Sequence, residues 1–82
     1  MDLKSTNQIS IQELHVKIGQ NVKKYREERG MTQLELSQAI GHTTTTMVSL
    51  AEIGKGKHFN IEHLHKISIV LDVDICKLFD LN

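Results

Sequence analysis

Helix start signals recur at short intervals along this chain, and they constrain its fold more than any other sequence feature. Ser10 and Thr32 are each followed three residues later by a glutamate, which is the pattern of a capping box. Asn60 and Asp74 are further N-cap residues, and stop signals are supplied by the glycines at positions 30, 41, 54 and 56. Because the chain also contains no proline, it is predicted to form a series of mostly short helices.

Apolar residues recur at helical spacing after each start signal, including a third helix predicted to begin at Thr44 as its N-cap. The positions predicted to face a common core are, helix by helix, Ile11, Leu14, Ile18, Val22 and Tyr25; Leu36, Ala39 and Ile40; Met47, Val48 and Ala51; Leu64, Ile67 and Leu71; and Leu78 with Phe79. We therefore expect one all-α domain of five helices at residues 10–82, preceded by a flexible polar segment at 1–9.

Composition excludes several classes of protein. No apolar run approaches the roughly 20 residues that span a bilayer, and the N-terminus lacks the apolar segment of a secretory signal, so a cytoplasmic protein is expected. Cys76 is the single cysteine, which rules out an internal disulfide, and we expect it to be buried. The formal net charge is zero, but eight of the ten basic residues and six of the ten acidic ones fall within 1–59. A surface that faces phosphate is expected in that part of the chain.

Two short helices joined by a glycine-containing turn, the second ending in Glu-x-Gly-Lys at 52–55, resemble the Cro/C1-type, lambda-repressor-like helix-turn-helix regulators. The resemblance is carried by GMTQLELSQAIG at 30–41, VSLAEIGKG at 48–56 and NIEHLHKISIVLDVDICKLF at 60–79. It implies a five-helix bundle whose third helix enters the major groove of DNA. The implied function is a sequence-specific, double-stranded DNA-binding transcriptional regulator, with no enzyme activity and no cofactor.

The same resemblance implies a role for individual residues. The base-reading candidates are Thr45, Thr46, Ser49 and Leu50. The candidates for contact with the DNA backbone are Gln33, Thr43, Thr44, Lys55, Lys57 and Asn60. Arg26 and Glu52 match a structural salt bridge of the family. None of the base-reading candidates can make a bidentate contact, so hydroxyl hydrogen bonds and contact with thymine methyl groups are expected.

The segment from Gly41 to Glu52 is one residue longer than the family pattern, which leaves the register of the base-reading residues open by one position. Near the C-terminus, an exposed apolar patch is predicted to form the interface of a homodimer, which suits a palindromic operator. Its residues are Ile69, Ile75, Phe79 and Leu81.

Two other functions remain open at this point. A protein-interaction module of the same fold, such as an antitoxin or a regulator that binds another protein, would explain the neutral charge and the apolar patch. A small enzyme is disfavoured because so short a bundle has little room for a pocket, and no small-molecule substrate is evident. The five histidines suggest a metal site, but His63 and His65 lie two residues apart on a helix and point in different directions. We therefore expect solvated histidines and no metal.

Overall fold

A computed structural model describes residues 9–82, and this part of the chain contains five helices. They are α1 (Ile11–Glu28), α2 (Gln33–Ala39), α3 (Thr46–Ile53), α4 (Ile61–Leu71) and α5 (Ile75–Leu78). The predicted all-α fold of five helices is confirmed. The flexible segment predicted at 1–9 lies outside the described residues except for Ile9.

Side-chain caps start four of these helices, as the sequence predicts. In the capping box of α1, the backbone N–H of Glu13 donates to Ser10 Oγ at 3.0 Å, and the backbone N–H of Ser10 donates to Glu13 Oε1 at 2.9 Å. Thr32 forms the equivalent box at α2, and the side chains of Asn60 and Asp74 cap α4 and α5. Each of these caps satisfies a backbone N–H group that has no partner inside its helix.

The start of α3 differs from the prediction. Its N-cap is Thr45 rather than Thr44, and the Thr45 side chain makes no capping hydrogen bond. Residues 43–45 form a bend between the two helices, and α3 begins after this bend at Thr46. The prediction of Thr44 was wrong because four consecutive threonines offer the same local capping chemistry, and the packing of α3 selects among them.

One apolar core joins all five helices. Its buried members are Ile18, Val22, Leu36, Ile40, Val48, Ala51, Phe59, Leu64, Ile67, Leu71 and Leu78. Two predicted core positions are instead exposed. Ile11 is 67% exposed because it lies at the first residue of α1, at the end of that helix. Ala39 is exposed because the buried side of α2 and its C-cap is formed by Leu36, Ser37 and Ile40.

Cys76 is exposed, which corrects the expectation of a buried thiol. The single turn of α5 places only Leu78 in the core, so the other side chains of this helix remain partly or fully accessible. No helix within residues 9–82 combines the length and apolar character needed to cross a membrane.

A close crossing of α1 and α3 sets the position of α3. Gly19 lies against the backbone carbonyl groups of Ala51 and Glu52, and a Cβ atom at Gly19 would overlap the Ala51 carbonyl oxygen. At the end of α3, Gln12 Nε2 donates to the carbonyl oxygen of Gly54 at 3.1 Å. The sequence analysis did not identify Gly19, since a glycine inside a helix has many explanations until its neighbour is known.

Candidate nucleic-acid interface

The two sides of α3 have different environments. Val48, Ala51 and Glu52 are buried on the side that faces α1 and α2. On the other side Thr46 is exposed, while Ser49 and Leu50 are partly exposed. A short helix held on one side and open on the other is the arrangement by which a recognition helix presents side chains to a ligand.

Arg26 and Glu52 connect α1 to α3 through a buried ion pair. Arg26 Nε donates to Glu52 Oε2 at 2.7 Å, and Arg26 Nη2 donates to Glu52 Oε1 at 3.0 Å. Arg26 Nη1 also donates to the carbonyl oxygen of Met31 at 2.7 Å, in the loop before α2. The hydrogen bond to Glu52 raises the pKa of the Arg26 guanidinium above its ordinary value, against the opposing effect of burial. The pair therefore ties both helices of the motif to α1.

Gln33, at the first position of α2, joins this network. Its Nε2 donates to Glu52 Oε1 at 2.9 Å, so one of its two amide N–H groups is committed to the ion pair. The amide group has a second N–H, and the side chain is only partly buried. The structure thus places this predicted backbone-contact residue beside Glu52, where the other N–H can still face outward.

Hydroxyl groups dominate the open side of α3 and the bend before it. Thr43, Thr44 and Thr46 are exposed, and Thr45 is half-buried. Ser49 Oγ donates to the carbonyl oxygen of Thr46 at 3.1 Å, one turn back along the helix. Thr45 thus precedes α3 as its N-cap, whereas Thr46, Ser49 and Leu50 lie on α3 itself, at the three- and four-residue spacing of one side of a helix.

Two lysines follow α3 in a loop built on glycines. Lys55 and Lys57 are exposed, and neither forms an ion pair with another residue of 9–82. Gly54 and Gly56 have φ values of 71° and 78°, a conformation that other residues rarely adopt. Asn60 ends the loop, and its Oδ1 accepts the backbone N–H of His63 at 2.7 Å, which leaves the side-chain amide N–H groups for an external acceptor.

The helix-turn-helix family model matches residues 22–78, which include the last turns of α1 and all of α2, α3, α4 and α5. The chain belongs to the Cro/C1-type helix-turn-helix family. This membership confirms the resemblance seen in the sequence.

Regulators similar to this helix-turn-helix chain include SinR of Bacillus subtilis and C.AhdI of Aeromonas hydrophila. The HTH-type transcriptional regulator SinR of Bacillus subtilis is 36% identical over 63 residues, which are 77% of this chain and 56% of SinR. The chain therefore spans little more than half of that relative.

Solved structures of SinR extend the comparison. A crystal structure of SinR, the master regulator for biofilm formation, in complex with DNA has a TM-score of 0.68, 36% identity, and coverage of 77% of this chain and 98% of that one. A SinR/SinI complex has a TM-score of 0.69 and 36% identity, with coverage of 78% and 61%.

The second relative is the restriction-modification controller protein C.AhdI of Aeromonas hydrophila. Its crystal structure has a TM-score of 0.69 and 26% identity, with coverage of 78% of this chain and 94% of that one. The helix-turn-helix geometry of this chain is therefore shared with proteins whose sequences differ at most positions.

Two histidine pairs involve residues in or next to the helix-turn-helix, and the sequence analysis missed both. His42, between α2 and α3, lies with its Nε2 at 3.3 Å from Nε2 of His63 in α4. His15 in α1 stacks on His58 in the loop after α3, with ring centroids 4.0 Å apart. Burial, and then the charge of the paired histidine, lowers the pKa of both His63 and His15. Residues 21 or 43 positions apart carry no local signal of such contacts.

The tautomers of the His42–His63 pair can be assigned from its neighbours. The backbone N–H of Asn60 donates to His63 Nδ1 at 3.2 Å, so the proton of neutral His63 is on Nε2, from where it donates to His42. A metal-bound histidine instead donates its second ring N–H to an outer partner. The pair therefore has the polarity of a hydrogen bond rather than of a metal site. Within residues 9–82, no group of three or more His, Cys, Asp or Glu side chains is placed so that it could hold a metal ion.

The predicted dimer patch is only partly open. Ile69 is 66% exposed on α4. Ile75, Phe79 and Leu81 are half-buried, and the first two pack against the core. Ile69 is thus the residue of this patch that is free for a contact with another chain.

Proposed function

We propose that this chain binds double-stranded DNA with sequence specificity through α3 and regulates transcription. The observation that carries the proposal is that α3 has two different sides. One side is held against α1 by the Arg26–Glu52 ion pair, and the other leaves hydroxyl groups and Leu50 accessible. A helix of this kind fits the major groove of B-DNA. Support comes from the family and from SinR, whose domain of similar structure was crystallised with DNA. A regulator of this kind acts in the cytoplasm.

In this proposal the residues act in two groups. Base edges are contacted by Thr45, Thr46, Ser49 and Leu50. Phosphates are contacted by Gln33, Thr43, Thr44, Lys55, Lys57 and Asn60. Contacts with phosphate position the protein, and contacts with base edges select the sequence. With hydroxyl groups and a leucine as readers, the selected half-site is expected to contain thymine.

The neutral net charge is compatible with this function because the charges are unevenly placed. Acidic residues 72, 74 and 80 lie around α5, which packs against α1 and α4. Lys55 and Lys57, which form no ion pair with another residue of 9–82, lie in the loop after α3. The side that would face DNA therefore has a local excess of positive charge.

In-vitro selection from a random duplex library, followed by binding titrations at several salt concentrations, tests the proposal. We expect enrichment of one sequence and an affinity that falls steeply with salt, because bound counterions are released. Lys55→Ala should weaken binding to all sequences and reduce the salt slope by about one. Lys77→Ala on α5 is the matched charge control and should leave binding unchanged. A pool that shows no enrichment would contradict the proposal.

We further propose that the protein acts as a homodimer on a palindromic operator, with Ile69, Ile75, Phe79 and Leu81 at the interface. Support comes from the exposure of Ile69 and from the frequency of two-fold oligomers. The two α3 helices would then lie about 34 Å apart, one turn of DNA. In sedimentation measurements Ile69→Glu should yield monomers, whereas Ile11→Glu, at an equally exposed position of α1, should not. A wild-type monomer on a single half-site would contradict this arrangement.

A protein partner is the second candidate function. SinR forms a complex with SinI, and the neutral charge of this chain and the exposed Ile69 are compatible with a protein ligand. If the chain acts only through a protein partner, replacement of Gln33, Thr46 or Lys55 leaves its affinity for that partner unchanged, and the duplex selection enriches nothing.

A further inference from the structure

The hydroxyl hydrogen of Ser49 is already used within α3. Ser49 Oγ donates to the carbonyl oxygen of Thr46 at 3.1 Å. A serine hydroxyl has one hydrogen to donate and two lone pairs that accept. With its hydrogen directed along the helix, Ser49 presents only acceptor sites to a molecule that approaches α3.

The major groove presents donors and acceptors at known positions on each base. Adenine and cytosine carry an exocyclic amine that donates, whereas guanine and thymine present only acceptor oxygens and nitrogens on that edge. We propose that Ser49 is a specificity-determining residue that accepts a hydrogen bond from the exocyclic amine of adenine or cytosine on the strand it faces. This inference rests on the proposed function, because it assumes that α3 occupies the major groove.

The size of the preference follows from the bond that would be lost. To donate to a guanine or thymine oxygen, the Ser49 hydroxyl must rotate away from the Thr46 carbonyl oxygen. The loss of one neutral hydrogen bond corresponds to a discrimination of about twofold to twelvefold. Thr46 differs, since no hydrogen bond of its hydroxyl group occurs within residues 9–82, and it can donate or accept. The two residues therefore read different features of a base pair.

Ser68 offers a matched control. Its Oγ donates to the carbonyl oxygen of His65 at 2.7 Å, which is the same bond in the same kind of helix. It belongs to α4, outside the helix-turn-helix. Ser68→Ala thus removes an equivalent hydroxyl group from a helix that is not expected to contact bases.

Selection with wild-type protein, Ser49→Ala and Ser68→Ala locates the position that Ser49 reads. We expect one position of each half-site to lose its preference in Ser49→Ala alone. The amine that Ser49 contacts belongs to the adenine or the cytosine of that base pair, since every pair carries one such amine in the major groove. A duplex with that base replaced by its analogue without the amine, purine for adenine or pyrimidin-2-one for cytosine, should bind wild-type protein about twofold to twelvefold more weakly. Ser49→Ala should bind both duplexes equally.

Two results would overturn the inference while leaving DNA binding intact. One is equal binding of wild-type protein to the duplexes with and without the amine. The other is a selection in which Ser49→Ala and wild-type protein enrich the same sequence with the same strength. A selection that enriches no sequence with wild-type protein would instead overturn the proposed function.

Discussion

Replacement of Glu52 by glutamine is the most informative perturbation of this fold. The Glu52 side chain is fully buried and accepts three hydrogen bonds, two from Arg26 and one from Gln33. Glutamine preserves the size of the side chain but replaces one carboxylate oxygen with an NH₂ group. That group would face a donor, and the charge of Arg26, whose side chain is only 9% exposed, would lose its partner.

The cost of this change can be bounded. Removal of one partner from a buried ion pair typically destabilises a protein by about 3–5 kcal/mol, because the remaining charge is left buried and unpaired. A chain of this length is expected to have a free energy of unfolding of about 4–12 kcal/mol. Glu52→Gln should therefore remove a large fraction of the stability, and the melting temperature should fall by at least about 12 °C.

Urea denaturation followed by circular dichroism measures this effect. The exposed pair of Arg29 and Asp72, 3.8 Å apart, provides the control, since Asp72→Asn removes a charge and retains a residue type that tolerates the φ of 53°. Its denaturation midpoint should be close to that of the wild type. The double variant Arg26→Met with Glu52→Met should be more stable than Glu52→Gln, because no buried charge is left unpaired. A loss below about 1 kcal/mol in Glu52→Gln would refute the assigned role of the pair.

Three further outcomes are expected. Gly19→Ala should separate α1 from α3 and lower the melting temperature, since its Cβ overlaps the Ala51 carbonyl oxygen; an unchanged melting curve would show that the crossing can relax. The pKa of His63 is lowered in the folded protein, so the unfolded state takes up the proton first as the pH falls below its unfolded pKa of about 6.5. The free energy of unfolding should therefore be independent of His63 above that pH and should decline below it. In denaturation titrations at pH 5 to 7, His63→Gln should reduce the dependence of the free energy of unfolding on pH, and an equal dependence would contradict this prediction. The exposed Cys76 should react with a thiol reagent in the folded protein, and protection until unfolding would contradict its placement.

Local signals predicted the helix starts correctly wherever one residue was clearly the best cap. The capping boxes of Ser10 and Thr32 depend only on neighbouring residues, so the sequence determines them. The start of α3 was missed because Thr44 and Thr45 are chemically identical candidates. The exposed Ala39 was missed because helical spacing alone does not distinguish it from Ser37 as the third residue of the buried side.

Some features of the candidate site were likewise predicted from the sequence, and others came only from the structure. The resemblance to a helix-turn-helix located α3 and the lysines that follow it. The roles of these residues in contact with bases and with the DNA backbone stay predictions until DNA binding is measured. The structure added the direction of individual hydrogen bonds. The hydroxyl hydrogen of Ser49 is committed to Thr46, and one amide N–H of Gln33 is committed to Glu52. Such commitments depend on rotamers and neighbours, which residue types do not specify.

The sequence by itself determined the number of helices and their approximate limits, because caps and apolar spacing act over a few residues. The family followed from the resemblance of its motifs to helix-turn-helix regulators. Only the tertiary structure decided how close α1 approaches α3 at Gly19, which histidines meet, and that Cys76 stays accessible. These features join residues far apart in the chain. Their contacts arise from how helices pack in three dimensions, and no local pattern encodes that distance.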